Sequence, residues 1–505
     1  MKSCFNAQAP ADDNPSELRR RIVVEGLSFV RPVASNRPLS GLDAAFLYLE
    51  GLGTPMHVGS LMLLDPPEGS ADDFHQHLIS LVSDRLSSTN ALRRVLEDAP
   101  LGLGHPIWRE YAELDLDWHI QHRRVHAPGS TRALLNLTAR LHAQPMDREK
   151  PLWQLVVIDG LADGRVALYS RIHHALLDGQ GGVALARALL DVEPNPKRPG
   201  HRLEPHAPSR PTGTLRRAAT AAGSTINSWG RWMRGIPETV RVAASSAASP
   251  RQTLGSLRES LMLAPRTPFN IQISEDRALG VASLSLDRCK RAAKHHGVSL
   301  NDLIMALCTS ALRRALKRRG RLPERALVAG MPVSLRAEDD GESNNQVSMV
   351  QCELPTDEPD PVERLKRIHA ATDRIKHRVQ AFSELIPTDF PGLAAPFWAT
   401  GLSRLWKQGR LSERLPPLAN LVISNVPGPP IPLYLAGARV DEYYPLSIVT
   451  HGLGLNITVQ SYAGSLEFGI LSCPDALASP ERLASQLVTA LDELEGGAEE
   501  GGTQS

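Results

Sequence analysis

The stretch Arg171-Ile172-His173-His174-Ala175-Leu176-Leu177-Asp178-Gly179-Gln180-Gly181-Gly182 constrains the fold more than any other. The apolar run Val166, Ala167, Leu168, Tyr169 leads into it and, with Ile172, predicts a buried strand. Gly179, Gly181 and Gly182 break that strand, and the residues from Val183 to Leu190 predict a helix. The two histidines therefore stand at a strand end, with Asp178 in the turn that follows. Neighbouring side chains on a strand point to opposite faces. His173 and His174 cannot both reach one small site while the strand stays regular. One can face a substrate channel; the other is buried, bonded and structural. Asp178 lies past the strand end, so the chain can fold it back. A carboxylate there can fix a histidine tautomer or anchor the turn through an arginine.

A neutral imidazole is a good general base near pH 7, and its natural partner is an alcohol, amine or thiol nucleophile. The chain contains no Gly-x-Ser-x-Gly elbow and no serine or cysteine in a supporting nucleophile motif. Direct transfer between two bound substrates is expected, rather than a covalent acyl-enzyme. A pair of satisfied core histidines is the bland alternative. The full pattern His-His-x3-Asp-Gly should arise by chance on the order of a few times in a thousand chains of this composition, which favours function. Opposite-facing histidines with no third ligand at a recognised spacing argue against a metal site.

This motif is that of the coenzyme A-dependent acyltransferase superfamily, which resembles chloramphenicol acetyltransferase in fold and includes peptide-synthetase condensation domains. Pro151-Leu152-Trp153 stands just ahead of the strand pair Leu152 to Ile158 and Arg165 to His174. It resembles the Pro-Leu-Trp motif of bacterial wax ester synthase/diacylglycerol acyltransferases. Leu39-Ser40-x2-Asp43-x2-Phe46-Leu47, with Pro55-Met56-His57-Val58-Gly59, resembles the N-terminal signature of the same family. His57 stands alone in sequence and reads as a core or surface histidine.

Elsewhere the chain reads as alternating strands and helices, an α/β pattern. Pro38 to Glu50 predicts a capped helix, with Ser40 and Asp43 as its box and Leu42, Phe46 and Leu49 on one face. Helices are also expected over 71–86, 131–141, 361–380 and 478–493. Ser299 caps a further helix whose apolar stripe is Leu300, Leu303, Ile304, Leu307 and Ala311, with Arg313, Arg314, Lys317 and Arg318 on its outer face. His295-His296 lacks the following Asp-Gly, and Gly297 reads as the C-cap of the preceding helix. Asn301-Asp302 resembles the family's Asn-Asp motif, which implies that Asn301 faces the catalytic histidine and can donate to an oxyanion. Asp302 reads as structural. Met331 to Gln346 and Leu421-Val422-Ile423-Ser424-Asn425-Val426-Pro427-Gly428-Pro429 resemble two more family signatures. The second is a strand ending in a turn, where Ser424 and Asn425 either position substrate or bond the turn.

The expected organisation is a disordered tail (1–37), an N-terminal acyltransferase domain (38–193), a basic Pro/Ala/Arg-rich linker (194–265), a C-terminal acyltransferase domain (266–495) and a second tail (496–505). The resemblance implies two α/β domains with an active-site tunnel between them. It implies His174 as general base, His173 and Asp178 as its support, and Gly179 with Ser424 and Asn425 at the substrate. Long-chain acyl-CoA would be co-substrate, with no other cofactor, and diacylglycerol or a fatty alcohol the acceptor. Two alternatives stay open: a condensation-type or other transferase with a different alcohol or amine acceptor, and a non-catalytic lipid-droplet protein.

Composition sets the remaining bounds. Formal net charge is +1 across 505 residues, so nothing global points to nucleic acid. The five cysteines are scattered and odd in number, which fits a reducing, cytoplasmic setting rather than a disulfide framework. No apolar run is long enough to span a bilayer. The linker carries Arg216, Arg217, Arg231, Arg234 and Arg241 around Trp229, Trp232 and Met233. It reads either as a solvated connection or as a segment that meets an anionic membrane or lipid-droplet surface.

Overall fold

The apolar run before the two histidines is a strand, Val166–His173, in which every residue is buried. The computed structural model of the chain describes residues 39, 41–51, 53–65, 71–86, 91–98, 105–110, 114–176, 185–186, 189–196, 262–334, 347–382 and 415–500. Among these, the first half runs α1 (Gly41–Leu49), β1 (His57–Asp65), α2 (Ala71–Leu86), β2 (Arg94–Glu97), β3 (Ile107–Glu110), α3 (Leu116–His119), β4 (Ile120–Arg124), α4 (Thr131–Ala143), β5 (Trp153–Asp159), β6 (Val166–His173) and β7 (Leu190–Asp191). The second runs β8 (Ala278–Ser285), α5 (Leu286–His295), α6 (Leu300–Arg318), β9 (Leu327–Ser334), β10 (Val347–Leu354), α7 (Pro361–Phe382), β11 (Leu421–Val426), β12 (Tyr434–Leu435), β13 (Ala438–Leu446), β14 (Leu455–Tyr462), β15 (Ser465–Ser472) and α8 (Pro480–Glu500).

Two mixed sheets carry the architecture. One has seven strands in the order β4-β5-β6-β1-β13-β12-β7; the other has six, β10-β9-β11-β14-β15-β8. Strands β5 and β6 of the first sheet, with most of β1, are buried on both faces, which explains why they read as continuous apolar runs rather than alternating ones. Leu61, Leu63, Ala167, Tyr169, Val156 and Ile158 enter one core with α4 and the second half. Their neighbours Met62, Leu64, Val166, Leu168, Leu155 and Val157 enter another with α1 and α2.

The sheets are not divided as the chain is. β12 and β13 come from the second half, yet β13 pairs antiparallel with β1 at the centre of the first sheet, Gly59 opposite Leu446. β13 also lies against β15 of the second sheet. Gly469 permits that approach, because a Cβ there would stand 1.7 Å from the Pro445 carbonyl oxygen.

α6 has the predicted start, a capping box in which Ser299 and Asp302 each accept the other's backbone N–H. It is more than a one-sided stripe, however. Met305, Ala306, Thr309, Ser310 and Leu312 are buried too, because α7 and α8 pack on its other sides. Arg313 and Arg314 therefore do not stand free: they donate to the Thr356 and Gln486 carbonyls. Gly297, at φ 68°, ends α5 as expected. Its N–H reaches the Lys294 carbonyl and the Val298 N–H reaches that of Ala293.

Three other expectations need correction. On α1 the buried side chains are Asp43, Ala44 and Leu47, whereas Leu49 is 54% exposed; the helix is turned from the predicted face so that Phe46 can meet His174. Leu190 lies in a strand, recruited by pairing with Leu435 rather than by its helical sequence context. The last helix continues past Glu493 to Glu500, through Gly496 and Gly497, which the sequence reading takes as the start of a tail. Ser40, the first 37 residues, most of the linker and residues 335–346 lie outside the described residues.

Gly469→Val should destabilise the protein by about 2 kcal/mol or more, because the side chain can fit only if β13 and β15 separate. Chemical denaturation of the two proteins checks this; a valine variant of unchanged stability would mean that the strands are not in backbone contact.

Candidate active site

β6 ends at His173, and a short 3-10 turn, His174–Leu176, begins at His174. The main chain of each histidine is pinned by a motif singled out in the sequence. The His173 N–H donates to the Leu152 carbonyl at 2.9 Å, and the His174 N–H donates to the Met56 carbonyl at 2.8 Å. Pro-Leu-Trp is therefore a backbone clamp on one histidine, and Pro-Met-His-Val-Gly on the other. Trp153 is fully buried, and its indole N–H donates to the Leu92 carbonyl at 2.7 Å, which fixes the clamp in the core.

The side chains diverge as strand geometry requires. His173 is fully buried. Its Nδ1 accepts the Ala175 N–H at 3.1 Å, so the proton of the neutral ring sits on Nε2. Nε2 lies 3.4 Å from Glu50 Oε1, a long contact that still places carboxylate against N–H. Glu50 also accepts the Met56 N–H at 3.3 Å and the Arg148 Nε and Nη2 at 2.9 and 2.6 Å. Burial pushes the Glu50 carboxyl upward, but His173 and Arg148 outweigh it and hold the pKa near about 2. An ionised glutamate thus ties α1, the Met56 backbone and His173 together.

His174 is only partly buried, and its ring lies flat on Phe46 of α1, centroids 3.7 Å apart and planes 16° from parallel. Its Nδ1 edge is buried and makes no hydrogen bond among the described residues. Burial lowers the His174 pKa to about 4, against the opposing pull of its own backbone carbonyl. The ring is therefore neutral at pH 7.

On the His173 side of the sheet lies a polar cluster at the end of α4. The buried Arg171 guanidinium donates to the carbonyls of Leu141 and Gln144 at 2.8 and 2.7 Å, and to Gln154 Oε1 at 3.1 and 2.6 Å. The negative end of α4 thus stands in for a carboxylate. His57 is opposite His173 in the β1–β6 register and is fully buried. Its Nε2–H donates to the His142 carbonyl at 3.0 Å, which leaves Nδ1 bare and without a partner. His142 donates from Nε2 to the Ser447 carbonyl and accepts the Tyr169 hydroxyl at Nδ1, each at 2.9 Å. Burial holds His57 well below the usual histidine range and His142 at about 4.

A second polar group forms in the other half. Asn301 is the second residue of α6, and its Oδ1 accepts from Nδ2 of Asn425, at the end of β11, at 3.3 Å. Ser424 precedes Asn425 on the strand and so projects to the opposite face. Asp302 is fully buried and structural, as expected: it accepts from the Ser299 N–H at 3.0 Å, His369 Nδ1–H at 2.9 Å and the Thr372 hydroxyl at 2.6 Å. The asparagine pair shares no hydrogen bond with the histidine pair among the described residues. Asp178 and Gly179 lie outside those residues.

Two family models match the chain. The wax ester synthase/diacylglycerol acyltransferase catalytic domain matches residues 39–304, and the corresponding C-terminal domain matches 343–495. The chain belongs to the wax ester synthase/diacylglycerol acyltransferase family. A Mycobacterium tuberculosis protein that bears the name diacylglycerol O-acyltransferase tgs2 is 35% identical over 469 residues, 90% of this chain and 97% of that one. The O-acyltransferase WSD of Acinetobacter baylyi is 32% identical over 471 residues, 91% and 97% of the two chains. The solved wax ester synthase/diacylglycerol acyltransferase from Marinobacter aquaeolei VT8 superposes with a TM-score of 0.66 at 30% identity, covering 92% of this chain and 99% of that one. The chain is thus an acyltransferase, with an α/β fold like that of the Marinobacter protein.

In this acyltransferase, Glu50, Arg148 and His142 are site features that the sequence reading missed. Glu50 ends an apolar helix just before Gly51-Leu52-Gly53, and a lone charge at that place is the only local signal. Nothing local links Arg148 or His142 to the motif, because both reach it from loops or helix ends. Phe46, which its spacing places on one face with Leu42 and Leu49, makes its ring contact with His174.

These buried histidines make stability depend on acid. His119, His142 and His174 are held at about 4, and His57 and His105 below their usual value, all chiefly by burial. Between pH 6.5 and 4 the unfolded chain takes up protons that the folded one refuses. Their contribution is complete above pH 6.5 and is lost as pH falls, by up to about 1.4 kcal/mol per pH unit for each group. Thermal unfolding from pH 7 to 4.5 should show a steadily falling midpoint, less steep in His142→Gln; a flat profile would mean that these rings protonate freely in the fold.

Proposed function

We propose that this chain transfers a long-chain acyl group from acyl-CoA to the hydroxyl of diacylglycerol or a fatty alcohol, with His174 as general base and no acyl-enzyme. The observation that carries the reading is the His174 ring. It is neutral at pH 7, lacks any hydrogen bond among the described residues, and stands where the strand turns away from the core. Nδ1 lies on the buried edge of the ring, so Nε2 is the nitrogen that would present its lone pair to a substrate.

Nε2 takes the proton of the bound hydroxyl as the oxygen attacks the thioester carbonyl. The tetrahedral oxyanion collapses, the carbon–sulfur bond breaks, and the imidazolium gives its proton to the leaving thiolate, which departs as coenzyme A and leaves the base neutral. Asn301 is the candidate oxyanion donor. Its Oδ1 is occupied by Asn425, so its amide N–H groups, at the positive end of α6, are what it would offer an oxyanion. Ser424 and Asn425, with Gly179, would hold the substrate. His173 and Asp178 would hold the turn. Names of relatives support both acceptors: one is called a diacylglycerol O-acyltransferase, and the Marinobacter protein is a wax ester synthase as well.

Such an acceptor barely dissolves in water, so the reading includes contact with a membrane or lipid-droplet surface. No helix among the described residues is long and apolar enough to cross a membrane. What supports peripheral contact is a patch of exposed Leu263, Met349, Leu415 and Leu418. Gln351 gathers it by donating to the Met262 and Leu418 carbonyls at 2.8 and 2.6 Å. The exposed Arg266 and Arg325 donate to the Leu415 and Leu263 carbonyls and place positive charge at its rim.

His174→Ala should lower coenzyme A release by about 10²–10⁴-fold with folding intact, and Asn301→Ala by about 10²–10³-fold. A thiol-release assay with palmitoyl-CoA checks both, and analysis of the ester formed with dodecanol and dioleoylglycerol in competition names the acceptor; turnover by a folded His174→Ala protein would reject the base. Leu415→Glu with Leu418→Glu should abolish flotation on anionic vesicles, and undiminished flotation would remove the patch from the reading.

A further inference from the structure

We infer that Phe46 is a positioning residue for the reaction, holding the His174 imidazole in its working orientation by lying flat against one face of it. This rests on His174 being the base, and extends that reading to the group that aims it.

Three observations lead to it. First, among the described residues no side-chain hydrogen bond orients the ring. Catalytic imidazoles are usually set by a partner on the second nitrogen, but His174 Nδ1 has none among the described residues. Only the backbone is anchored, through the Met56 carbonyl at 2.8 Å, and this leaves the side-chain torsions free. Second, the ring contact that His174 makes among the described residues is the stack on Phe46, at 3.7 Å and 16°. That geometry restrains the tilt of the imidazole, and it covers one face against water. Third, Phe46 is itself held from the motif. α1 ends at Glu50, whose carboxylate is clamped by Arg148 and touches His173, and Arg148 also takes the Leu47 carbonyl at 2.9 Å. The rotation of α1 that buries Asp43, Ala44 and Leu47 brings Phe46 over the ring.

Among the described residues, the charged and titratable groups near this imidazole are few. From α1 comes the Glu50 carboxylate with its Arg148 partner, from β6 His173 and Arg171, and from β1 His57. The carboxylate is neutralised by its own partners, and His57 is held uncharged by burial. Water access to the ring is therefore the term that Phe46 controls. Removing the aromatic face lets water reach the imidazole, which raises its affinity for a proton and loosens its aim.

The test compares Phe46→Leu, Phe46→Met and Phe46→Tyr in the full chain. Phe46→Leu and Phe46→Met should lose about tenfold in kcat with KM for acyl-CoA nearly unchanged, and Phe46→Tyr, which keeps the flat ring, should recover most of it. The acid limb of kcat/KM should move up by about one unit in Phe46→Leu, and the His174 resonance in histidine-labelled protein should titrate upward by the same amount. A pH limb and a resonance that both stay in place would overturn the inference, as would full kcat in either aliphatic variant. If Phe46→Leu does not fold, Phe46→Met decides. If the resonance moves while the rate does not, the stack is real and it is His174 as base that falls.

Discussion

A strand buried on both faces must deliver consecutive side chains into different surroundings, and this site exists because β6 stops between two histidines. As the last regular residue, His173 stays with Tyr169 and Arg171 on the α4 side. His174 is the first residue of the turn and is released toward α1. One residue more of strand would bury both, and one fewer would free both. The backbone bonds to Leu152 and Met56 hold the break at that point.

The two histidines then receive opposite treatment from the same physics. Burial alone would neutralise every ionisable group here, since a charge is costly away from water. Glu50 escapes because Arg148 and His173 meet it directly, and it stays ionised. His174 has no such partner and stays neutral. A neutral His174 imidazole and an ionised Glu50 carboxylate, the latter held against His173, both keep their charge state through the neutral pH range in which a general base is useful. Arg171 completes the pattern from the other side of the sheet, its charge spread over helix-end carbonyls and an amide rather than given to an acid that would compete for His173.

The second half of the chain is built into this site rather than laid beside it. β13 crosses to pair with β1, and Ser447, just beyond its end, accepts from His142 at the head of the polar cluster. Close contact of Gly469 with Pro445 locks the six-stranded sheet onto the same strand. In the other direction, His369 and Thr372 of α7 hold Asp302, and with it the first turn of α6, where Asn301 sits. Each catalytic candidate is thus seated by groups distant in sequence.

The division between what sequence and tertiary structure decide follows from the range of the forces. Capping, helix stops, strand runs and the divergence of His173 from His174 are settled within a few residues, so the Ser299–Asp302 box, the Gly297 stop and the alternation through β6 could be read directly. Family motifs were legible as strings, and so were the fold and the family. What those strings do was not: that Leu152 and Met56 act through their carbonyls appears only when β5, β6 and β1 are side by side. The partners of the histidines, Glu50, Arg148 and Phe46, depend on how α1 is rotated against the sheet, and that rotation is set by packing against a core contributed by many segments. Local patterns of polarity gave α1 a different buried face, because a helix with apolar residues on several sides has no preferred face until the surrounding surfaces choose one. Sequence determined where the imidazoles would part; tertiary packing determined what each would meet.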